Sequence, residues 1–148
     1  MSKFDDHKVA VGRSGARELA MMLFYQMEAQ NDFEARIKDT FIDENIKNNK
    51  QKEYVEKMYS LLCEHLPQVD SLIESVSNNW TIDRIDKIDL AVLRIAVLEI
   101  MGLDDIPQSV SINEAVNVAK QYGTSDSGKF VNGILGKIAK IVNENETN

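Results

Sequence analysis

Apolar residues recur along this chain with the period of an α-helix. Ala16, Leu19, Ala20, Leu23, Phe24 and Met27 fall at i, i+3, i+4, i+7, i+8 and i+11, which predicts a first helix over residues 15–30. A weaker pattern with Ile37, Phe41 and Ile42 inward predicts a second helix over 33–46, and a polar turn follows at 45–50. Tyr54, Val55, Met58, Leu61, Leu62 and Cys63 mark a third helix over 51–66. Pro67 should stop it and open a fourth over 68–77, carrying Val69, Leu72, Ile73 and Val76. The stretch 86–101 differs in kind, being apolar nearly all round, and a helix of that sort is central and buried. Its interruptions are Asp89, Arg94 and Glu99, spaced by five so that they share no face, and each needs an internal partner or an exit to water.

The last third reads as helix, stop, loop, helix. Ser111 and Glu114 have capping-box spacing, and Ile112, Ala115, Val116 and Ala119 form the stripe behind them. Gly123 suits a left-handed helix end, and Thr124–Ser127 offers caps for a final helix that buries Phe130, Val131, Ile134, Leu135, Ile138 and Ile141. The chain is therefore expected to be all-α, with about seven helices. Residues 1–12 read as a flexible basic arm, 13–142 as one compact domain with sub-bundles at about 13–66 and 67–142, and 143–148 as a frayed tail. Trp80, after the Ser77–Asn79 break, is expected to be a core or hinge anchor.

Charge changes this picture at one end. The 148 residues carry a net −7, which argues against indiscriminate nucleic-acid binding, yet residues 1–17 hold Lys3, Lys8, Arg13 and Arg17 against Asp5 and Asp6. Cations at a helix start are disfavoured by the dipole, so Arg13 and Arg17 ask for an external reason or for solvent. Met21 is expected to touch a second helix, whereas Met22 and Tyr25 fit either packing or an exposed docking patch. Asp83, Asp86 and Asp89 near a helix start suit the dipole, and could equally receive a basic partner. Asp126, Ser127, Gly128, Lys129, Asn132 and Gly133 gather at another helix start, either as a well-capped corner or as a site for a phosphate-bearing ligand.

The single cysteine, Cys63, fits a reducing compartment and a buried position among Leu61, Leu62 and Leu66. Residues 1–12 lack a signal-peptide core and no long apolar run occurs, so a cytoplasmic protein is expected, with no membrane partner. His7, His65 and Cys63 give no metal set, and neither a phosphate-binding glycine loop nor a nucleophile elbow is present. A binding module without cofactor or metal is favoured over an enzyme.

The segments ARELAMMLFYQ (16–26), DLAVLRIAVLEI (89–100), SINEAVNVAK (111–120) and GTSDSGKFVNGILGKIA (123–139) resemble the NusB family of bacterial transcription antitermination factors. The likeness spans nearly the whole chain and is weakest over 31–77. The resemblance implies two three-helix bundles, binding to the boxA element of nascent ribosomal RNA transcripts, and a heterodimer with the small-subunit ribosomal protein that doubles as NusE, within the RNA polymerase antitermination complex. It implies RNA contacts at Arg13 and Arg17, and at Asp126, Lys129 and Phe130 with Tyr122 close by. It implies partner contacts at Tyr25, Asp83 and Asp89. Phe130 fits both a stacking face and the apolar stripe. Where family members often carry consecutive cations, this chain has Ser14 and Gly15, which means fewer counterions released on RNA. The rival expectations are an RNA-binding subunit related to ribosomal RNA cytosine methyltransferases, and a helical adaptor that binds protein only.

Overall fold

A computed structural model describes Phe4 and residues 8–147. Among them run six α-helices and one short 3₁₀ turn: α1 (Gly12–Gln30), α2 (Ala35–Asn45), α3 (Asn49–Val76), the turn Ile82–Arg84, α4 (Lys87–Gly102), α5 (Gln108–Tyr122) and α6 (Ser127–Thr147). Helices α1–α3 pack on one another, and so do α4–α6, giving two three-helix bundles. Helix α4 joins them, touching α1, α3, α5 and α6. Every residue from Ile88 to Ile100 is buried, as an all-round apolar helix must be.

Two charged side chains of α4 are pinned inside this core. Glu99, 1% exposed, accepts hydrogen bonds from Arg17 Nε (2.7 Å) and Nη2 (3.1 Å), from Ser111 Oγ (2.7 Å) and from the Tyr54 hydroxyl. One carboxylate thus ties α1, α3, α4 and α5 together. Arg94 does the converse with opposite charge: it donates to both oxygens of Asp70 on α3 (2.9 and 2.8 Å) and to Glu28 on α1 (2.5 Å). Arg94 and Glu99 thus each have partners on other helices, and the two do not pair with each other. Burial and the neighbouring Glu99 push the Tyr54 hydroxyl well above its ordinary pKa, so it stays a donor.

Several local expectations give way to packing. Pro67 does not stop a helix, because α3 runs through it for 28 residues. The proline is exposed, so the carbonyl it frees can meet water, while Leu61, Leu62, Val69 and Ile73 on either side are buried in one core. The divide between bundles therefore falls after Val76. Ser111 is not a cap: α5 begins a turn earlier, behind Pro107, and the serine hydroxyl serves Glu99 instead. Gly123 ends α5 in extended backbone (φ −93°, ψ −157°) and not in the left-handed region. A Cβ there would lie 2.3 Å from Ser127 Oγ, so close approach, not φ, demands the glycine. Cys63 is exposed, on the outer face of α3. Helix α6 continues to Thr147 through the expected tail, and Asn148 lies outside the described residues. Of the N-terminal arm, residues 1–3 and 5–7 lie outside the described residues as well. Phe4 is buried, with its ring edge-on to Tyr25 (5.4 Å between centroids) and Tyr122 (5.8 Å).

Breaking a buried ion pair from one side leaves an uncompensated charge, at a cost of about 3–5 kcal/mol. Arg17→Ala should therefore lower stability by about that much in urea melts, whereas a loss below about 1 kcal/mol, that of an exposed pair, would show that the Glu99 cluster does not hold the bundles.

Candidate functional site

The α5–α6 corner is built from short polar contacts. The Ser127 hydroxyl accepts from the Thr124 N–H (2.9 Å), the Ser127 N–H donates to the Thr124 carbonyl (3.1 Å), and the Asp126 N–H donates to Thr124 Oγ1 (3.3 Å). The first turn of α6 then closes from the Phe130 N–H to the Asp126 carbonyl (3.0 Å). Ser127 and Gly128 are buried under this corner, which leaves Asp126 and Lys129 exposed and Phe130 half-buried beside them. The three residues fall together on the head of α6. They face a groove of about 420 Å³ whose other wall is Val76, Ser77, Asn78 and Trp80 from the end of α3 and the turn after it. Phe130 packs against the core and also lines the groove.

Asp89 supports the corner from below. It is 7% exposed in the first turn of α4, and its Oδ1 has no hydrogen-bond partner. Burial raises its pKa, reinforced by the nearby Asp86 carboxylate and opposed by the neighbouring Ser127 side chain. Asp89 is thus an interior group that faces the Ser127 corner, and a partner at the surface would meet other acids. Asp83 and Asp86 are exposed, and Asp86 caps α4 by accepting from Ile88 N–H (2.9 Å) and Asp89 N–H (3.3 Å). Tyr25, half-buried on α1, packs against Phe4.

The two arginines of α1 part company. Arg17 is 6% exposed and committed to Glu99, so it has no free fork for a phosphate. Arg13 is exposed, with its guanidinium 4.8 Å from the Tyr54 ring centre. It lines a cleft of about 250 Å³ with Lys50, Glu53, Lys57 and Asp105, and these two lysines carry no motif that the sequence could have revealed. Tyr122 is buried, and its hydroxyl donates to Glu18 (2.7 Å), which raises its pKa along with burial. With Phe4 against its ring it offers no stacking face. Trp80, expected as a core or hinge anchor, is not core: it is 47% exposed, with the Arg84 guanidinium 5.6 Å from its ring. Ser77 fixes this turn, its hydroxyl donating to the Trp80 carbonyl (2.7 Å), so the backbone and not the indole is the anchor. No helix among the described residues is long and apolar enough to cross a membrane. Nor does any group of three or more His, Cys, Asp or Glu among them gather where it could hold a metal.

Comparison with known proteins agrees with this fold. A model of the NusB family matches residues 14–140. The transcription antitermination protein NusB of Ruminiclostridium cellulolyticum is 45% identical over 131 residues, covering 88% of this chain and 90% of that protein. NusB of T. maritima superposes with a TM-score of 0.81 at 36% identity, over 89% of this chain and 93% of that one. A NusB chain from a complex of the antitermination factors NusB and NusE with double-stranded RNA superposes at 0.79 with 30% identity, over 87% and 96%.

The raised pKa of Asp89 has a testable sign. The folded protein holds this proton more tightly than the unfolded chain, so the group's contribution is full below the ordinary carboxylate value of about 4 and declines as pH rises through the higher folded value. Asp89→Asn should melt at or above the wild-type temperature at pH 7, with the difference shrinking toward pH 4. A variant that melts well below wild type at pH 7 would mean that the ionised carboxylate is stabilising.

Proposed function

The chain belongs to the NusB family, and on that premise we propose that it is an RNA-binding transcription antitermination factor. It binds the boxA element of nascent ribosomal RNA transcripts as a heterodimer with the ribosomal protein that serves as NusE, within the RNA polymerase antitermination complex in the cytoplasm. The observation that carries this reading is the head of α6, where an exposed cation, an exposed carboxylate and a half-buried aromatic edge, Lys129, Asp126 and Phe130, stand side by side on a fixed corner. This set suits a flexible single strand: a lysine for a phosphate, a carboxylate that can accept from a base edge, and a ring on which a base can lie. In this reading the protein acts by binding.

The second patch is Arg13 with Lys50 and Lys57. It offsets the cations missing at residues 14 and 15. At Gly15 a side chain has no place, since a Cβ there would lie 1.5 Å from the Ala10 carbonyl oxygen, and Ser14 donates to Glu114 (3.1 Å). Arg17 supports this patch only indirectly, by fixing the start of α1.

The protein partner fits the surface around Tyr25 and the acids at the start of α4. Asp83 and Asp86 are exposed carboxylates that a basic ribosomal protein could pair with, and half-buried Tyr25 is the aromatic anchor of the reading.

Arg13→Ala and Lys129→Ala should each weaken every single-stranded RNA about equally and flatten the slope of log K against log salt by about 0.7. Fluorescence anisotropy of labelled RNA with the partner present reads both, and an unchanged slope in the double variant would place the RNA elsewhere. Tyr25→Ala with Asp83→Lys should abolish capture of the ribosomal protein while the circular dichroism of the helices stays the same. Normal capture by that variant would refute the partner surface.

A further inference from the structure

The groove beside α6 has features that the head of the helix alone does not explain. Trp80 is the only tryptophan in the chain, and its ring is left nearly half in water at the groove wall. Arg84 covers part of the ring, its guanidinium 5.6 Å from the ring centre, and the aromatic surface still open on this ordered turn is costly in water unless something further covers it. Facing it, Lys129, Gly133 and Lys137 line the groove at positions i, i+4 and i+8, one above another along the same face of α6. Two lysines against the single carboxylate of Asp126 make the groove cationic in a chain whose net charge is −7.

Gly133 sits in the middle of a helix, where glycine is less stable than alanine. No packing constraint demands it, because a Cβ there would meet nothing within 4 Å. It has ordinary helical backbone, with no positive φ to accommodate. What the missing side chain does is leave open space in the groove between the two lysines, in a lining that Trp80 shares. Gly136, one turn further, is equally unconstrained but lies outside this groove, and so serves as its control.

We propose that this groove is a slot for one unpaired RNA base, stacked on the Trp80 indole above Gly133, with Lys129 and Lys137 on the flanking phosphates. The inference rests on the RNA-binding reading given above and extends the RNA path from the head of α6 to the α3 corner. The charge favours RNA over the basic protein partner, which the lysines would repel. An aromatic wall with cations on either side is how single strands are held without base pairing, and the ring accepts any base because every base has a flat face.

The lone tryptophan makes the test direct. Titrating the whole protein with a single-stranded RNA oligonucleotide should quench Trp80 emission and shield it from acrylamide, with Trp80→Leu as the blank. Adding the ribosomal protein partner alone should do neither. Trp80→Leu should weaken RNA binding on the order of 5- to 150-fold, the range for loss of one stacked base, with little change in melting temperature. Gly133→Ala should raise the melting temperature yet weaken RNA several-fold, while Gly136→Ala should raise it and leave RNA affinity unchanged. If RNA binds in an Arg13- and Lys129-dependent way but Trp80 emission and both groove variants stay at wild-type values, the slot is refuted and the RNA reading stands. Shielding of Trp80 by the protein partner alone would make the groove a protein contact and overturn the proposal. Failure of the wild-type protein to bind any single strand, with or without the partner, would overturn the RNA reading and the slot together.

Discussion

A single buried carboxylate sets the geometry on which the rest of this protein depends. Glu99 draws a guanidinium from α1, a phenol from α3 and a hydroxyl from α5 onto one point of α4. Burying a charge is tolerable only when its hydrogen bonds are met, and here both oxygens are used. Apolar packing alone would let the helices slide or rotate past one another, because it has no direction. The charged cluster, answered along the same helix by Arg94 with Asp70 and Glu28, fixes the rotation of α4 about its own axis.

That rotation reaches the surface through Asp89. The side chain lies a turn and a half before Arg94 and is buried near Ser127, whose hydroxyl closes the α5–α6 corner. The exposed groups at the head of α6 are thereby carried by a buried chain of contacts: Glu99 sets α4, α4 places Asp89, and Asp89 lies against the corner. A recognition surface for a flexible nucleic acid gains from such rigidity, since the protein side then loses little freedom on binding.

The same structure explains how an acidic protein keeps basic ground. Two of the cations that the sequence suggests for RNA are treated in opposite ways although they stand one turn apart. Arg17 is spent on Glu99, and Arg13 faces outward beside Lys50 and Lys57. Ser14 and Gly15 between them are held by Glu114 and by the Ala10 carbonyl, so this turn of α1 is shaped by packing and its charge comes instead from α3.

The sequence by itself determined the helical class, the central place of α4 and the existence of a polar corner before α6, because these follow from the period of apolar residues and from local turn chemistry. It also carried the family segments and, through them, Asp126, Lys129 and Phe130. It could not tell which arginine of an i, i+4 pair turns inward, since Arg13 and Arg17 differ only in a partner 82 residues beyond the second of them. It placed Cys63 in the core, and allowed Trp80 a place there, because an apolar side chain gives no local sign of being left outside. It stopped a helix at Pro67 and capped another at Ser111 because those rules describe isolated helices. Tertiary packing overrode both, with a continuous core on either side of the proline and a buried carboxylate waiting for the serine. Local pattern fixes what forms; which face a side chain takes depends on contacts far away in the sequence, and only the folded chain brings those together.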